Sequence, residues 1–114
     1  MTAPVLPEIV FESFAKCDIR VGMIYSAERV PKSDKLLKLS VHFGELGFRQ
    51  IVAGIGKDFD PASLNGMQVV AVVNLVPKPI FSIESHGMIL CAKSEDGKVH
   101  LVQCPGAPMG ARLS

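Results

Sequence analysis

The 114-residue sequence contains no tryptophan, one tyrosine and three cysteines, and its charges nearly cancel. Cys17, Cys91 and Cys104 are odd in number, and no two have the C-x-x-C spacing of a redox or zinc site. A disulfide framework is therefore not expected, and a reducing compartment is favoured. The formal net charge of +1 excludes a strong global attraction to polyanions, so any nucleic-acid site must depend on local clustering of bases.

Long apolar runs are also missing from the sequence. No stretch approaches the roughly 20 apolar residues that span a bilayer, and the first ten residues lack the basic region and apolar run of a signal peptide. We therefore expect a cytoplasmic protein without membrane contact. Hydrophobic residues nevertheless make up 48% of the chain. This is high for a small soluble domain, and it predicts that a second subunit covers part of the apolar surface, giving a homodimer.

The residues that usually carry catalysis do not form a recognisable pattern. The three histidines and three cysteines lack metal-ligand spacing. Ser85 and His86 are neighbours in the chain, which points their side chains apart rather than together as nucleophile and base. Gly54-x-Gly56 lacks the third glycine and the helix of a phosphate loop. The sequence therefore predicts no enzyme, no cofactor and no metal site.

Turn signals divide the chain into short strands within one domain, residues 1–114. We predict a short helix at 8–16, one helical turn at 61–64, and strands at 18–28, 37–43, 48–55, 67–76, 88–93 and 99–103. The first three strands, a short helical insertion and the next two strands are in the order of an all-β, five-stranded OB-fold barrel. An irregular N-terminal arm, about residues 1–10, and an irregular C-terminal tail, about residues 105–114, flank the barrel.

The residue patterns of two strands predict where particular side chains lie. In the first, Ile19, Val21, Met23 and Tyr25 are predicted to share one side of the sheet. In the last barrel strand, Cys91 is predicted to lie within an apolar run as a small hydrophobic residue. The stretch 77–87 between the fourth and fifth strands is predicted to be a polar loop stiffened by Pro77 and Pro79.

Several motifs in order resemble the tRNA-binding OB-domain family. They are Phe14-x-Lys16-x-Asp18-Ile19-Arg20-Val21-Gly22, Ala27-Glu28-x-x-Pro31-x-Ser33-Asp34-Lys35-Leu36-Leu37-Lys38-Leu39, Arg49-Gln50-Ile51-Val52-Ala53-Gly54-Ile55, Val73-Asn74-Leu75-x-Pro77 and Glu84-Ser85-x-Gly87-Met88-x-Leu90. The family includes the C-terminal domain of methionyl-tRNA synthetases, free-standing dimeric tRNA-binding proteins, EMAP II-type cytokine domains and CsaA-type export chaperones. The resemblance covers roughly residues 11–113 and implies a dimer that binds tRNA by shape.

The sequence departs from the family pattern in the central loop. Two consecutive basic residues and a glycine are usual there, whereas Pro79 and Ser82 stand at the second basic and the glycine positions. His86 replaces a common amide, and His42 a common acidic residue. One phosphate contact is thereby lost, which favours weaker binding or a changed ligand.

Positive charge is concentrated in the first half of the chain. Residues 16–49 contain seven lysines and arginines against four acidic residues, an excess of three positive charges. The OB-fold ligand face, with its flanking loops, then predicts an RNA site at Lys32, Ser33, Lys35, Arg49, Gln50, Asn74, Lys78, Ser85, His86 and Met88. Equally, Asn74 could close a strand by bonding loop backbone, and Met88 could belong to the core.

The alternative to tRNA binding is a chaperone that holds an unfolded polypeptide, such as a preprotein, on exposed apolar residues. Its predicted contacts are Ile80, Phe81 and Ile83 in the central loop, although Phe81 could instead anchor a dimer. A third, weaker hypothesis is a scaffold that docks on an aminoacyl-tRNA synthetase. Salt dependence separates the first two, because only the binding of a polyanion weakens steeply as salt rises.

Overall fold

A computed structural model of the protein describes residues 2–114, and these form a mostly β structure. Met1, in the predicted arm, lies outside the described residues. The elements are helix α1 (Phe11–Ala15) and strands β1 (Ile19–Arg29), β2 (Leu37–His42), β3 (Phe48–Ala53), β4 (Gln68–Val72), β5 (Lys78–Ile80), β6 (Ile83–Ser85), β7 (Met88–Ile89), β8 (Cys91–Lys93) and β9 (Val99–Leu101). Single 3-10 turns occupy Gly44–Leu46 and Pro61–Leu64, the second as predicted.

Five strands form the barrel in the order β3-β2-β1-β4-β7, with every neighbouring pair antiparallel. Strands β3 and β7, at the two ends of this order, contact each other, so the barrel is nearly closed. The long strand β1 serves both halves, since residues 23–29 pair with β2 and residues 19–23 pair with β4. The predicted five-stranded OB-type barrel is confirmed.

Strict alternation in β2 supplies one wall of the core. Leu37, Leu39 and Val41 are buried and face the interior together with the following Phe43. Residues Val69–Val72 of β4 are buried on both faces, as the continuous apolar run predicts. Each such fully buried side chain contributes about 1.5–3 kcal/mol relative to exposure.

Several predicted element bounds were wrong. Helix α1 has no buried residue and is shorter than residues 8–16. The fourth strand ends at Val72 rather than at Val76, and the fifth divides at Leu90. Leu90 changes partner at the division, because its N–H donates to Val70 while its carbonyl accepts from Val102. Beyond it, Cys91 is exposed rather than within the apolar core.

The first strand keeps the predicted alternation as far as Tyr25 and becomes irregular there. The pairing of β1 with β2 shifts register between Ile24 and Ser26, and Tyr25 occupies the irregularity. Ile24 is fully buried whereas Tyr25 is 64% exposed. An extra residue in one strand reverses the alternation beyond it, which sequence periodicity alone does not reveal.

The C-terminal tail lies along β1 instead of ending irregularly. The N–H groups of Val21 and Leu113 donate to Ala111 and Ile19 at 2.9 and 2.8 Å, and Gly110 donates to Val21 at 2.7 Å. The first residues of β1 have no partner in β2, so the tail satisfies an edge that would otherwise be open.

Side chains also hold the C-terminal tail against the start of β1. The Asp18 carboxylate accepts from Arg20 at 2.6 Å and from Arg112 of the tail at 3.3 Å. The hydrogen bond from Arg20, followed by the bond and charge of Arg112, holds the pKa of Asp18 below its ordinary value. The carboxylate therefore links β1 to the tail most strongly when it is ionised.

We expect acid to weaken this junction. A carboxyl group whose pKa is lowered by folding stabilises the protein above its unfolded pKa, near 3.9. That stability is lost as the pH falls through the lower folded value. Urea unfolding at pH 7, 4 and 2 should therefore show a larger acid-induced loss for the native protein than for Asp18→Asn. Asp58→Asn, at an exposed position, is the matched control, and equal losses for the native protein and Asp18→Asn would contradict the expectation.

Candidate nucleic-acid interface

The turn between β1 and β2 carries two of the predicted RNA-binding lysines. Its backbone closes through Ser33, whose N–H donates to Val30 at 3.1 Å and whose hydroxyl accepts from Leu36 at 3.1 Å. Lys32 has a φ of 68°, a left-handed conformation that fits a tight turn. The predicted RNA contact Ser33 therefore shapes the turn that presents Lys32 and Lys35.

The predicted loop at 77–87 is a β-hairpin. Strands β5 and β6 pair Lys78 with Ser85 and Ile80 with Ile83, and Phe81 and Ser82 form the two-residue turn. Pro79 lies opposite Glu84 within this short ladder. A proline is tolerated there because β5 is an edge strand, whose second side needs no donor.

Both residues of the hairpin turn are left-handed, with φ values of 51° for Phe81 and 64° for Ser82. Two-residue turns of this kind favour glycine at the second position. We expect Ser82→Gly to raise the free energy of unfolding by about 0.5–1 kcal/mol, because the relief of strain exceeds the entropic penalty of glycine. Urea denaturation measures the change. Ser82→Ala, which keeps the β-carbon, should have little effect, and an equal gain from both variants would refute the explanation.

A small apolar cluster joins the hairpin to the turn of residues 30–36 between β1 and β2, which we call the lysine turn. Val30, Leu36 and Val52 are buried, and Ile80 and Ile83 pack against them. The flanks of both loops thus meet on one side of the barrel. Lys32, Lys35 and Lys78 are all exposed there, and none of them forms a salt bridge within residues 2–114. The strand cation Lys38, in contrast, pairs with Glu28 at 2.6 Å.

Ser85 and Gln50 fasten the hairpin to β3. The Ser85 hydroxyl is buried, accepts from the Val52 N–H at 3.0 Å and donates to the Gly87 carbonyl at 3.1 Å. The Gln50 side-chain amide donates to the Glu84 carbonyl at 2.9 Å, and the Gln50 backbone carbonyl accepts from the His86 N–H at 2.8 Å. These two predicted contact residues therefore position the hairpin.

Arg49, Asn74 and His86 each have a protein partner. Arg49 donates to the Val73 carbonyl at 2.8 Å, and the His86 ring lies 2.7 Å from the Glu84 carboxylate. The Asn74 amide accepts from the Asp18 N–H at 2.8 Å and donates to the Lys16 carbonyl at 2.6 Å. Asn74 thus has the backbone-bonding environment that the sequence left open beside RNA contact.

An apolar groove of about 540 Å³ runs beside the hairpin. Its lining includes Leu75, Val76, Ile80 and Met88, with Lys78 at the same groove. Met88 is 48% exposed and Val76 is 86% exposed. The apolar run 67–76 predicts Leu75 and Val76 inside a buried strand, but both are surface residues, and Pro77 immediately after them signals a break.

The predicted peptide contacts differ in accessibility. Phe81 projects from the turn and is exposed, while Ile80 and Ile83 are half-buried in the cluster beneath the hairpin. An apolar ligand would therefore meet Phe81 and the groove-lining Leu75 and Val76 more readily than Ile83.

Besides the apolar groove, this side offers ionic and hydrogen-bonding groups. Within the described chain, no three His, Cys, Asp or Glu side chains are placed to hold a metal ion. Likewise, no helix among residues 2–114 has the length and apolar character needed to cross a membrane. Unpaired ammonium groups, in contrast, neutralise phosphate without reading sequence.

Residues 19–112 of the chain match a protein-family model described as "Putative tRNA binding domain". The chain belongs to the tRNA-binding domain family. This agrees with the motifs that predicted it, which are distributed over the barrel, the lysine turn and the hairpin.

Relatives of this tRNA-binding domain occur within larger proteins. Methionine--tRNA ligase of Porphyromonas gingivalis is 47% identical over 100 residues, 88% of this chain and 15% of the relative. That of Methanospirillum hungatei is 54% identical over 89 residues, 78% of this chain and 13% of the relative. The chain thus spans only about a seventh of the length of these curated relatives.

Two solved structures match nearly the whole of this domain. The MetRS related protein from Pyrococcus horikoshii has a TM-score of 0.88 at 39% identity, over 96% of this chain and all of the other. The chaperone CsaA from Bacillus anthracis has a TM-score of 0.85 at 37% identity, over 95% of this chain and all of the other. Both have the fold of this tRNA-binding domain.

Proposed function

We propose that the protein is a homodimer that binds tRNA in trans by its shape, without catalysing a reaction. The proposal depends mainly on one observation: the lysine turn and the hairpin pack against each other through a single apolar cluster. It brings the two flanking loops of the barrel to a common side, where Lys32, Lys35 and Lys78 are exposed. Because the chain belongs to the tRNA-binding domain family, we propose that the polyanion bound there is tRNA.

In this proposal, the three lysines neutralise phosphates, and Arg49 and His86 add polar contacts at the foot of the hairpin. Gln50, Ser33 and Ser85 act chiefly by holding the two loops in position, since their side chains already bond the backbone. Recognition of backbone and 2′-hydroxyl groups depends on the shape of the RNA rather than on its base sequence.

The N-terminal segment supports the dimer. Val5, Leu6, Ile9, Val10, Phe11 and Phe14 are all exposed large apolar side chains. So many exposed apolar side chains within residues 5–14 are characteristic of a subunit interface. We propose that it packs, with tail residues 105–114, against a second copy. Sedimentation should then give twice the chain mass, and Phe11→Ser with Phe14→Ser should shift the protein towards monomer.

A chaperone that binds unfolded polypeptide is the second candidate. The exposed Phe81 and the apolar groove at Leu75, Val76 and Met88 favour it, together with the similarity to CsaA chaperones. In either case we propose action in the cytoplasm, since Cys17, Cys91 and Cys104 are free thiols. Curated relatives that are synthetases suggest an aminoacyl-tRNA synthetase as a further partner.

One titration separates the two candidates. Purified protein is titrated with bulk tRNA and with an unfolded apolar peptide, each at several salt concentrations. We expect tight tRNA binding at low salt that weakens steeply as salt rises, because counterions return to the phosphates. Peptide binding that is indifferent to salt, with no tRNA binding at low salt, would replace the first proposal by the second.

A further inference from the structure

Three aromatic side chains form a cluster on the outer face of the barrel. Phe48 lies at its centre, with its ring centroid 5.4 Å from that of Tyr25 at an interplanar angle of 78°. The His42 ring is 4.6 Å from Phe48, tilted by 51°. The first is an edge-to-face arrangement, which is a favourable geometry for aromatic pairs.

The cluster is fixed in place yet open to solvent. Phe48 pairs with His42 across β2 and β3, and the His42 Nδ1 atom lies 3.1 Å from the Met109 sulfur of the tail. Phe48 is nevertheless 56% exposed. Because Ile51 of β3 faces the core, Phe48 and Gln50 share the opposite, outer face. A rigid, exposed ring on a strand provides a flat surface that loses little entropy on binding.

A polar depression adjoins the ring. It has a volume of about 520 Å³ and is lined by Leu46, Phe48, Arg49, Gln50 and His86. Gln50 and His86 belong to the foot of the hairpin, so the depression is continuous with the side that carries the lysines. The aromatic cluster is therefore an extension of the interface assigned to tRNA rather than a separate patch.

We propose that an unpaired nucleotide of the bound RNA stacks its base on Phe48 and occupies this depression. The inference rests on the proposed tRNA function and deepens it, because it selects RNA with an extruded or looped base over uniform duplex. The aromatic face supplies stacking, the His86 ring and the Gln50 side-chain oxygen offer hydrogen-bonding groups to a base edge or ribose, and Arg49 contributes positive charge. Tyr25 and His42 hold the Phe48 ring in position.

The absence of tryptophan makes this stacking directly observable. Phe48→Trp introduces a single indole that keeps an aromatic face at the site. We expect its fluorescence to be quenched as tRNA or an unstructured oligoribonucleotide binds, and affinity to be retained. His100→Trp, at an exposed position of β9 outside the proposed site, is the matched control and should not be quenched. Saturated tRNA binding without quenching at position 48 would overturn the inference.

A truncation gives the second test. Phe48→Ala should weaken tRNA and single-stranded RNA binding by roughly 5- to 100-fold, while binding of a blunt RNA duplex stays unchanged. Thermal unfolding verifies that the variant is folded, and Phe48→Tyr should restore affinity. Normal tRNA affinity in folded Phe48→Ala refutes stacking but leaves the tRNA proposal intact, whereas no tRNA binding by native protein refutes the latter. A shift of oligomeric state in Phe48→Ala would assign the cluster to a second copy and also refute stacking.

Discussion

Replacing Lys32, Lys35 and Lys78 together by alanine is expected to remove most of the salt dependence of tRNA binding. Each ammonium group that neutralises a phosphate contributes about one unit to the slope of log affinity against log salt. The triple variant should therefore bind with a slope smaller by roughly two to three units, and far more weakly at low salt. Filter binding or anisotropy between 50 and 200 mM salt measures both quantities.

Thermal stability should be unaffected in the same variant, since the three side chains are exposed and none forms a salt bridge within residues 2–114. A matched control removes the same net charge elsewhere, with Lys16→Ala, Lys93→Ala and Lys98→Ala in one chain. An equal reduction of the slope by both triple variants would indicate a general charge effect. In that case the lysine turn and the hairpin would not form the site.

The second large effect concerns the junction of the tail with the barrel. In Gly110→Ala the new β-carbon would lie 2.6 Å from the Phe43 carbonyl oxygen, in a residue whose φ is +90°. Backbone strain and overlap with a fixed backbone atom each cost about 1–3 kcal/mol. We expect the free energy of unfolding to fall by about 2–4 kcal/mol, measured by urea denaturation.

Gly106→Ala separates these two contributions. Gly106 has a similar φ of +87°, but a β-carbon there would have no atom within 4 Å. This variant should therefore show the strain alone, about 1 kcal/mol. A loss at Gly106 as large as that at Gly110 would mean that the close approach of the tail to Phe43 contributes little.

The barrel could be predicted from the sequence where simple periodicities hold. Strand β2 alternates without interruption, and β4 is apolar from Val69 to Val72, so the sequence predicted both strands, although β4 ends earlier than predicted. In strand β1, the irregularity at Tyr25 leaves no mark in the residue types. Such shifts of register depend on how one strand pairs with another, and residues that pair across strands lie apart in the chain.

The hairpin could not be predicted for a different reason. Its turn has no glycine at Phe81 or Ser82, and Pro79 occupies a strand, so the usual signals indicate a loop. The family motifs include Ser85 and Gln50, whose side chains bond to backbone near the hairpin. Their bonds to the backbone of Val52 and Glu84 span more than thirty residues, and only the folded chain reveals that they support the loop.

The β5–β6 hairpin has its own two-stranded pairing and rests on a separate apolar cluster outside the main core. Substitutions within it can therefore accumulate with little consequence for the integrity of the barrel. Selection acting on one short protrusion could redirect the same scaffold towards a different class of ligand. Such independence would account for the occurrence of one fold in both a MetRS related protein and the chaperone CsaA.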